Sequence, residues 1–211
     1  MREELRDPAT RFARAARAAG ANRPADGVVA DLLARYAEPR RHYHTLTHVL
    51  DCLSLFDRFE ALAERPAEVE LALWFHDAVY DPERSDNEAE SARLADEALR
   101  VLEVPEPCRT RVVRAIEATR HHDATEGDAA LLVDLDLAIL GADAESFRRF
   151  EEQIRSEYAQ VPDALFRMGR RQVLAGFLGR PRIYRHTRLA ELFEGPARAN
   201  LARRIEELSR S

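Results

Sequence analysis

The sequence has 211 residues, of which 45% are apolar and 33% charged, and it carries a net charge of −6. A chain of this length and composition can bury a full core, which excludes wholesale disorder. The acidic balance argues against general nucleic-acid binding. No apolar run approaches the roughly 18 residues that a membrane helix needs, and the first twenty residues lack the apolar region of a secretory signal. We therefore expect no membrane association.

The cationic residues and the cysteines exclude further classes of reaction and of metal or redox site. All 32 cationic residues are arginine, which excludes lysine chemistry such as Schiff-base formation. Cys52 and Cys108 are isolated and match no metal or redox spacing. We expect a cytoplasmic protein with free thiols.

Long stretches rich in Ala, Leu, Arg and Glu lie between the 8 glycines and 10 prolines, and this composition predicts an all-α fold. Apolar residues such as Leu46, Val49 and Leu53 recur at helical spacing, whereas no segment alternates for long enough to predict a strand. We expect one domain over residues 1–211. The predicted helices span residues 8–20, 26–37, 46–63, 67–79, 86–102, 107–122, 129–140, 143–160, 163–179 and 187–209.

Six of the seven histidines fall in three clusters between residues 42 and 122. His44 and His48 are four residues apart, so a helix over this segment would place them on one face. His76 and Asp77 end a strongly apolar run, which indicates that the pair faces the interior or a cleft. The third cluster is the pair at residues 121–122.

Two acidic residues, Asp134 and Asp136, lie within an apolar segment. Burying a carboxylate costs several kcal/mol unless a partner compensates it. An arginine, the amides at a helix end or a metal ion could be that partner. Several His and Asp clusters embedded in apolar helices together favour a metal site.

Four stretches together resemble the HD superfamily of metal-dependent phosphohydrolases, and in particular a bacterial branch described as predicted HD-type phosphohydrolases. They are residues 41–48 (RHYHTLTH), 75–82 (FHDAVYDP), 86–91 (DNEAES) and 134–141 (DLDLAILG). Further similarities at residues 154–158, 169–170 and 197–200 extend the resemblance over about residues 40–205. It implies an HD-domain helical bundle, with a metal-binding core at about residues 40–142 and covering helices over 143–211.

The resemblance also implies a ligand set. His48 matches the first ligand, His76 and Asp77 match the second and third, and a distal aspartate is the fourth. Asp136 matches that position best, as the second acid of an Asp-x-Asp pair, and Asp134 is the alternative.

One ion is expected, and His122 is the candidate for a second metal position. Imidazole and carboxylate donors suit Mn²⁺, Fe²⁺, Co²⁺, Ni²⁺ or Zn²⁺, and suit Mg²⁺ less well.

The family's chemistry implies that metal-activated water attacks a phosphate ester or anhydride of a small molecule, with nucleotides among the candidates. Residues 43–48 are also similar to the Tyr-His-Asn-x-x-His stretch of cyclic-nucleotide phosphodiesterases, which implies that His44 is a general acid. Asp77 and Glu88 complete the predicted catalytic set. Glu88 also suits a plain helix N-terminus, so that alternative stays open.

Positive charge around the phosphate oxygens would come from arginine, because the N–H donors of its planar guanidinium group form a fork that matches the geometry of a phosphate. Arg40 is one candidate near the motifs. The predicted substrate-binding residues are Arg41, Arg120, Arg155 and Arg170.

Two other functions stay open. One is a di-iron oxygenase on an HD scaffold, which needs about six protein ligands. The other is a non-catalytic regulatory module that binds a metal or a ligand. The expected partner of the enzyme is a small phosphorylated substrate, and the sequence is compatible with a homo-oligomer.

Overall fold

The computed structural model describes residues 7–210, and this part of the chain is built from helices without a strand. The all-α prediction is confirmed, with 72% of the residues helical. The α-helices are α1 (Pro8–Ala18), α2 (Asp26–Tyr36), α3 (Leu46–Phe59), α4 (Pro66–Phe75), α5 (Asn87–Val101), α6 (Glu106–Glu117), α7 (Gly127–Asp136), α8 (Ala144–Glu157), α9 (Asp163–Leu178) and α10 (Thr187–Ser209). Within residues 7–210, every helix is too short or too polar to cross a lipid bilayer.

The helix bounds follow the sequence prediction closely, with one informative exception. Helix α10 has the predicted bounds, and short 3-10 segments at Glu60–Leu62, Ala118–Arg120 and Leu137–Gly141 continue three other helices. The exception is α4, predicted to run to residue 79, which ends at Phe75. The predicted metal pair therefore lies in the turn that follows a helix rather than within the helix.

The chain divides into two compact units, one up to Val133 and one from Asp134 onward. In the first unit, α4 is the central element and packs against α1, α3, α5 and α6. Most of its residues are buried and apolar, including Leu71, Leu73 and Trp74. A helix with apolar residues on all faces is stable only when it is surrounded, so α4 fixes the positions of its neighbours.

One buried ionic cluster joins α1 to this core. The guanidinium of Arg11 donates to Glu70 at 2.9 Å and to Asp57 at 2.6 and 3.0 Å. Arg11 and Glu70 are both buried. Glu70 is a buried acidic residue of the mostly apolar helix α4, and its pairing avoids the cost of a lone buried charge.

The second unit contains α8, α9 and α10. The carboxylate of Glu151 on α8 accepts from Arg170 on α9 at 2.6 Å and from Arg204 on α10 at 3.0 Å. Asn200 donates to the carbonyls of Leu140 and Ala142, which fixes the 3-10 segment against α10. The prediction of a single domain over residues 1–211 stays a prediction.

Gly141 gives a first test of this packing. A Cβ at Gly141 would lie 2.7 Å from the backbone oxygen of Phe193. We expect Gly141→Ala to lower the free energy of unfolding by about 1–3 kcal/mol, because neither backbone can yield without strain. Urea unfolding monitored by circular dichroism measures the change.

The matched control is Gly176→Ala in α9, where a new Cβ would meet nothing within 4 Å. Alanine in a helix interior is better than glycine by about 0.5–1 kcal/mol, so this variant should be slightly more stable. Equal stability of the two variants would contradict the packing at Gly141.

Candidate metal centre

Two helices place three side chains of the first unit that could bind a metal next to one another. His48 lies in the first turn of α3, and His76 and Asp77 follow the last residue of α4. The Nε2 atoms of His48 and His76 are 3.2 Å apart. Asp77 Oδ2 is 3.4 Å from Nε2 of His48 and 3.1 Å from Nε2 of His76.

A fourth residue, Asp136 at the end of α7, completes the set. Among the described residues, His48, His76, Asp77 and Asp136 each offer one ligand atom, and these four atoms all lie within 4.8 Å of one another. The structure thus brings together the four residues that the sequence analysis names as ligands.

The separations among the ligand atoms of His48, His76 and Asp77 suit a divalent ion. Ligand atoms about 2.1 Å from one ion are roughly 3.4 Å apart at tetrahedral angles and about 3.0 Å apart at right angles. The measured separations of 3.1 to 3.4 Å among His48, His76 and Asp77 fall in this range. Two neutral imidazoles and two carboxylates also supply a charge of −2, which balances a divalent cation.

The tautomer of His76 also fits a metal ligand. Its Nδ1 lies 2.9 Å from the carbonyl oxygen of Leu73. A carbonyl only accepts, so Nδ1 carries the proton and Nε2 of the neutral ring keeps its lone pair. A backbone carbonyl on the second ring nitrogen commonly orients metal-binding histidines in this way. At His48, the corresponding neighbour of Nδ1 is the sulfur of Cys52, at 3.7 Å.

Asp77 stays ionised in this setting. Burial raises its pKa, but the neighbouring imidazoles of His76, His44 and His48 lower it by more in the metal-free protein, through charge and hydrogen bonding, whenever these rings are protonated. The net result is a pKa well below the usual range of an aspartate. The carboxylate is therefore available as an anionic ligand at neutral pH.

Arg41 and Tyr36 hold the turn that carries the metal pair. The buried Arg41 guanidinium donates to the carbonyls of Asp77 at 2.6 Å and Ala78 at 3.0 Å, and also to that of His44 at 3.0 Å. The Tyr36 hydroxyl donates to the carbonyl of Trp74 at 3.0 Å. A helix leaves its last carbonyls unpaired, and Tyr36 satisfies one of them in the last turn of α4, whereas Arg41 satisfies carbonyls of the turn that follows.

Asp134, the alternative to Asp136, has a different position. Its buried carboxylate accepts from the backbone N–H of Arg185 at 2.8 Å and of His186 at 2.7 Å, at the start of α10. Burial raises its pKa, and the hydrogen bonds from His186 and Arg185 offset only part of the increase. Helix-end amides, one of the three partners considered from the sequence, compensate this aspartate.

The structure places the remaining predicted residues around or away from the group. His44 is half-buried, with its ring 6.2 Å from that of His48. Glu88 is half-buried in the first turn of α5, and His122 is half-buried with a left-handed backbone (φ 48°). Neither belongs to the group of four. Their catalytic and second-metal roles stay predictions.

The predicted substrate-binding arginines mostly contact the protein itself. Arg155 donates to the carbonyls of Tyr158 and Val161, and Arg170 pairs with Glu151. Arg41 has the backbone contacts described above. Arg120 differs, since it is exposed and its charge lowers the pKa of Asp86, after the larger effect of Arg84. A role in substrate binding stays a prediction for all four residues.

Sequence reasoning missed two features of this region. One is that Arg41 and Tyr36 hold the turn after α4, for which the local sequence carries no signal. The other is the stacking of Tyr80 on His44, with ring centroids 3.9 Å apart. The place of Tyr80 three residues after Asp77 is compatible with a pocket-lining residue or with a turn, but it carries no signal for the contact with His44.

Comparison of the chain with family models gives no match, and neither curated proteins nor solved structures match it. The resemblance to HD-type phosphohydrolases therefore rests on the motifs.

The aspartate pair allows the ligand set to be tested. We expect Asp136→Asn to lower the metal content of the purified protein strongly, because the variant loses an anionic ligand. Asp134→Asn should keep the metal but lower the free energy of unfolding by about 1–3 kcal/mol, since its amide group faces backbone donors. Elemental analysis and urea unfolding measure the two effects. The reverse pattern would move the ligand role to Asp134.

Arg41 gives a second test of the site. Arg41→Lys keeps the charge but not the planar fork that reaches several carbonyls. We expect the affinity for Zn²⁺, measured by competition with a chelator, to fall about 10–100-fold, as is usual when an outer partner of a metal site is lost. The control is Arg40→Lys at the neighbouring side chain, which is 80% exposed. Unchanged affinity in Arg41→Lys would mean that the turn holds its shape without the guanidinium.

Proposed function

We propose that this protein is a metal-dependent phosphohydrolase that acts on a small phosphorylated molecule. The observation that carries the proposal is the group of His48, His76 and Asp77, whose donor atoms lie 3.1 to 3.4 Å apart, with Asp136 as the fourth member. The order of these residues along the chain supports the reaction class, because it resembles the HD superfamily.

The donor set favours Mn²⁺, Fe²⁺, Co²⁺, Ni²⁺ or Zn²⁺ over Mg²⁺, which prefers oxygen ligands. Such an ion supplies a water of lowered pKa and polarises a phosphoryl oxygen. The protein's part is to hold the ligands in place. The Leu73 carbonyl orients His76, and the Arg41 fork orients the turn that contains Asp77.

His44 is the residue proposed to move a proton. Its ring lies 6.2 Å from the His48 ring, so it adjoins the metal group without belonging to it. A protonated imidazole there can donate a proton to the leaving oxygen of a phosphate ester. General acid catalysis of this kind typically accelerates the reaction by 10²–10⁴-fold.

Exposed arginines close to the motifs in the sequence are the proposed contacts for the phosphate group. Arg120 follows α6 on a 3-10 turn and is exposed, and Arg40 lies 3.8 Å from Asp81 with most of its side chain in solvent. Each guanidinium group can bind a phosphate through two parallel N–H···O hydrogen bonds. Glu88 is retained as a candidate general base at the start of α5.

Within residues 7–210, the metal-binding group has four members. A di-iron oxygenase needs about six protein ligands, so no observation favours that alternative. A regulatory module would bind metal without turnover, and the following experiment separates it from the enzyme.

His44→Ala and His48→Ala test the assigned roles. His48→Ala should lose both metal and phosphatase activity in a panel that includes p-nitrophenyl phosphate and alkyl phosphates. His44→Ala should keep the metal but lower kcat by about 10²–10⁴-fold for alkyl phosphates, and by less for p-nitrophenyl phosphate, whose leaving group hardly needs a proton.

The control is His42→Ala, at an exposed histidine of the same cluster, which should change neither quantity. Metal binding without turnover on the whole panel would refute the hydrolase and favour the regulatory module. Loss of metal in His44→Ala would make this residue a ligand instead of an acid.

A further inference from the structure

Two side chains of α5 bind the segment that follows the metal pair. The N–H of Val79 donates to Ser91 Oγ at 3.0 Å, and the Ser91 hydroxyl lies 3.3 Å from the Val79 carbonyl oxygen, to which it donates. The N–H of Asp81 donates to Asn87 Oδ1 at 3.1 Å, and Asn87 Nδ2 donates to the Asp81 carbonyl at 2.8 Å.

These four hydrogen bonds form a ladder on alternate residues of the backbone. Asn87 and Ser91 are four residues apart and so lie on the same face of α5. Each side chain pairs with both the N–H and the carbonyl of one residue, much as a neighbouring strand would. The backbone is therefore held on both sides of Tyr80.

The ring of Tyr80 meets the predicted general acid. Its centroid lies 3.9 Å from that of His44, with 25° between the ring planes, so the two rings are stacked. Tyr43 contacts the same imidazole in an edge arrangement, with centroids 5.0 Å apart. The guanidinium carbon of Arg41 lies 5.8 Å from the Tyr80 centroid.

We propose that Tyr80 is a positioning residue that fixes the orientation of the His44 imidazole, and that the Asn87–Ser91 ladder holds Tyr80 in place for this purpose. Stacking limits the rotation of the imidazole, so less rotamer freedom is lost when the ring must meet a reacting atom. The catalytic meaning of this orientation rests on the proposed function, whereas the orientation itself does not.

Nuclear magnetic resonance tests the orientation without any reaction. The 211-residue chain is labelled with isotopes at histidine, and spectra are recorded without metal and after addition of Zn²⁺. The signals of His44 are assigned by their loss in His44→Gln. The face of the Tyr80 ring should shift the His44 ring protons upfield of the values of an exposed histidine.

The variants should separate stacking from other contacts. Tyr80→Phe keeps a six-membered ring and should preserve the His44 shifts, whereas Tyr80→Leu should move them downfield, toward the values of an exposed histidine. Asn87→Ala and Ser91→Ala should move them in the same direction by less. The control is Ser85→Ala, at an exposed serine just before α5, which should leave the spectrum unchanged.

Kinetics then test whether Tyr80 acts through His44. Tyr80→Leu should lower kcat for an alkyl phosphate by roughly tenfold or more, within the range available to general acid catalysis, with a smaller change for p-nitrophenyl phosphate and little change in KM. The double variant His44→Ala/Tyr80→Leu should be no slower than His44→Ala alone, because the two residues act as one unit.

Three results would overturn the proposal. They are His44 signals that stay in place in Tyr80→Leu, a shift in Tyr80→Phe as large as in Tyr80→Leu, and losses in kcat that multiply in the double variant. If the wild-type protein hydrolyses no phosphate ester, the proposed function fails, and the resonance spectra still decide whether Tyr80 orients His44. Thermal unfolding of each variant identifies any that fail to fold, and Asn87→Ala then replaces Tyr80→Leu in both measurements.

Discussion

The backbone carbonyl groups at and just beyond the end of α4 need hydrogen-bond donors, and the candidate site depends on this constraint. No helix can satisfy its own last carbonyls. The Tyr36 hydroxyl donates to the carbonyl of Trp74 in the last turn of α4, and the Arg41 guanidinium donates to those of Asp77 and Ala78 in the turn that follows. The Arg41 fork also reaches the carbonyl of His44, so one side chain fixes both the turn before α3 and the turn after α4. His48 and the pair at residues 76–77 face each other as a result.

The fold could be predicted well because local composition and hydrophobic spacing determine most helix bounds. Helix α10 begins and ends where the pattern indicates. The prediction for helix α4 is four residues too long, since apolar residues resume at Ala78 and Val79 and no glycine or proline lies between Phe75 and Val79. Arg41, far away in the sequence, pairs with carbonyls beyond Phe75, and that tertiary contact leaves no trace in the local pattern.

The proximity of the four candidate ligand residues could be predicted because few residue types bind metals and the order of these residues resembles a known family. The arginines could not be assigned in the same way. A guanidinium binds a substrate phosphate or a backbone carbonyl equally well, and only the fold decides which acceptor it meets. Arg41 and Arg155, both predicted to bind substrate, meet carbonyls of their own chain. The stacking of Tyr80 on His44 is likewise a product of tertiary structure.

The ion pairs of Arg11 with Asp57 and Glu70 should persist in alkaline solution. Burial lowers the pKa of Arg11, but its two carboxylate partners raise this pKa by a larger amount. The net pKa therefore lies above that of an ordinary arginine. A lysine in this position would lose its charge near about pH 10. Because every cationic side chain of this protein is arginine, its ionic contacts keep their positive partner in strongly basic solution. Alkali that would discharge the lysine pairs of another protein leaves the attachment of α1 to the core electrostatically intact.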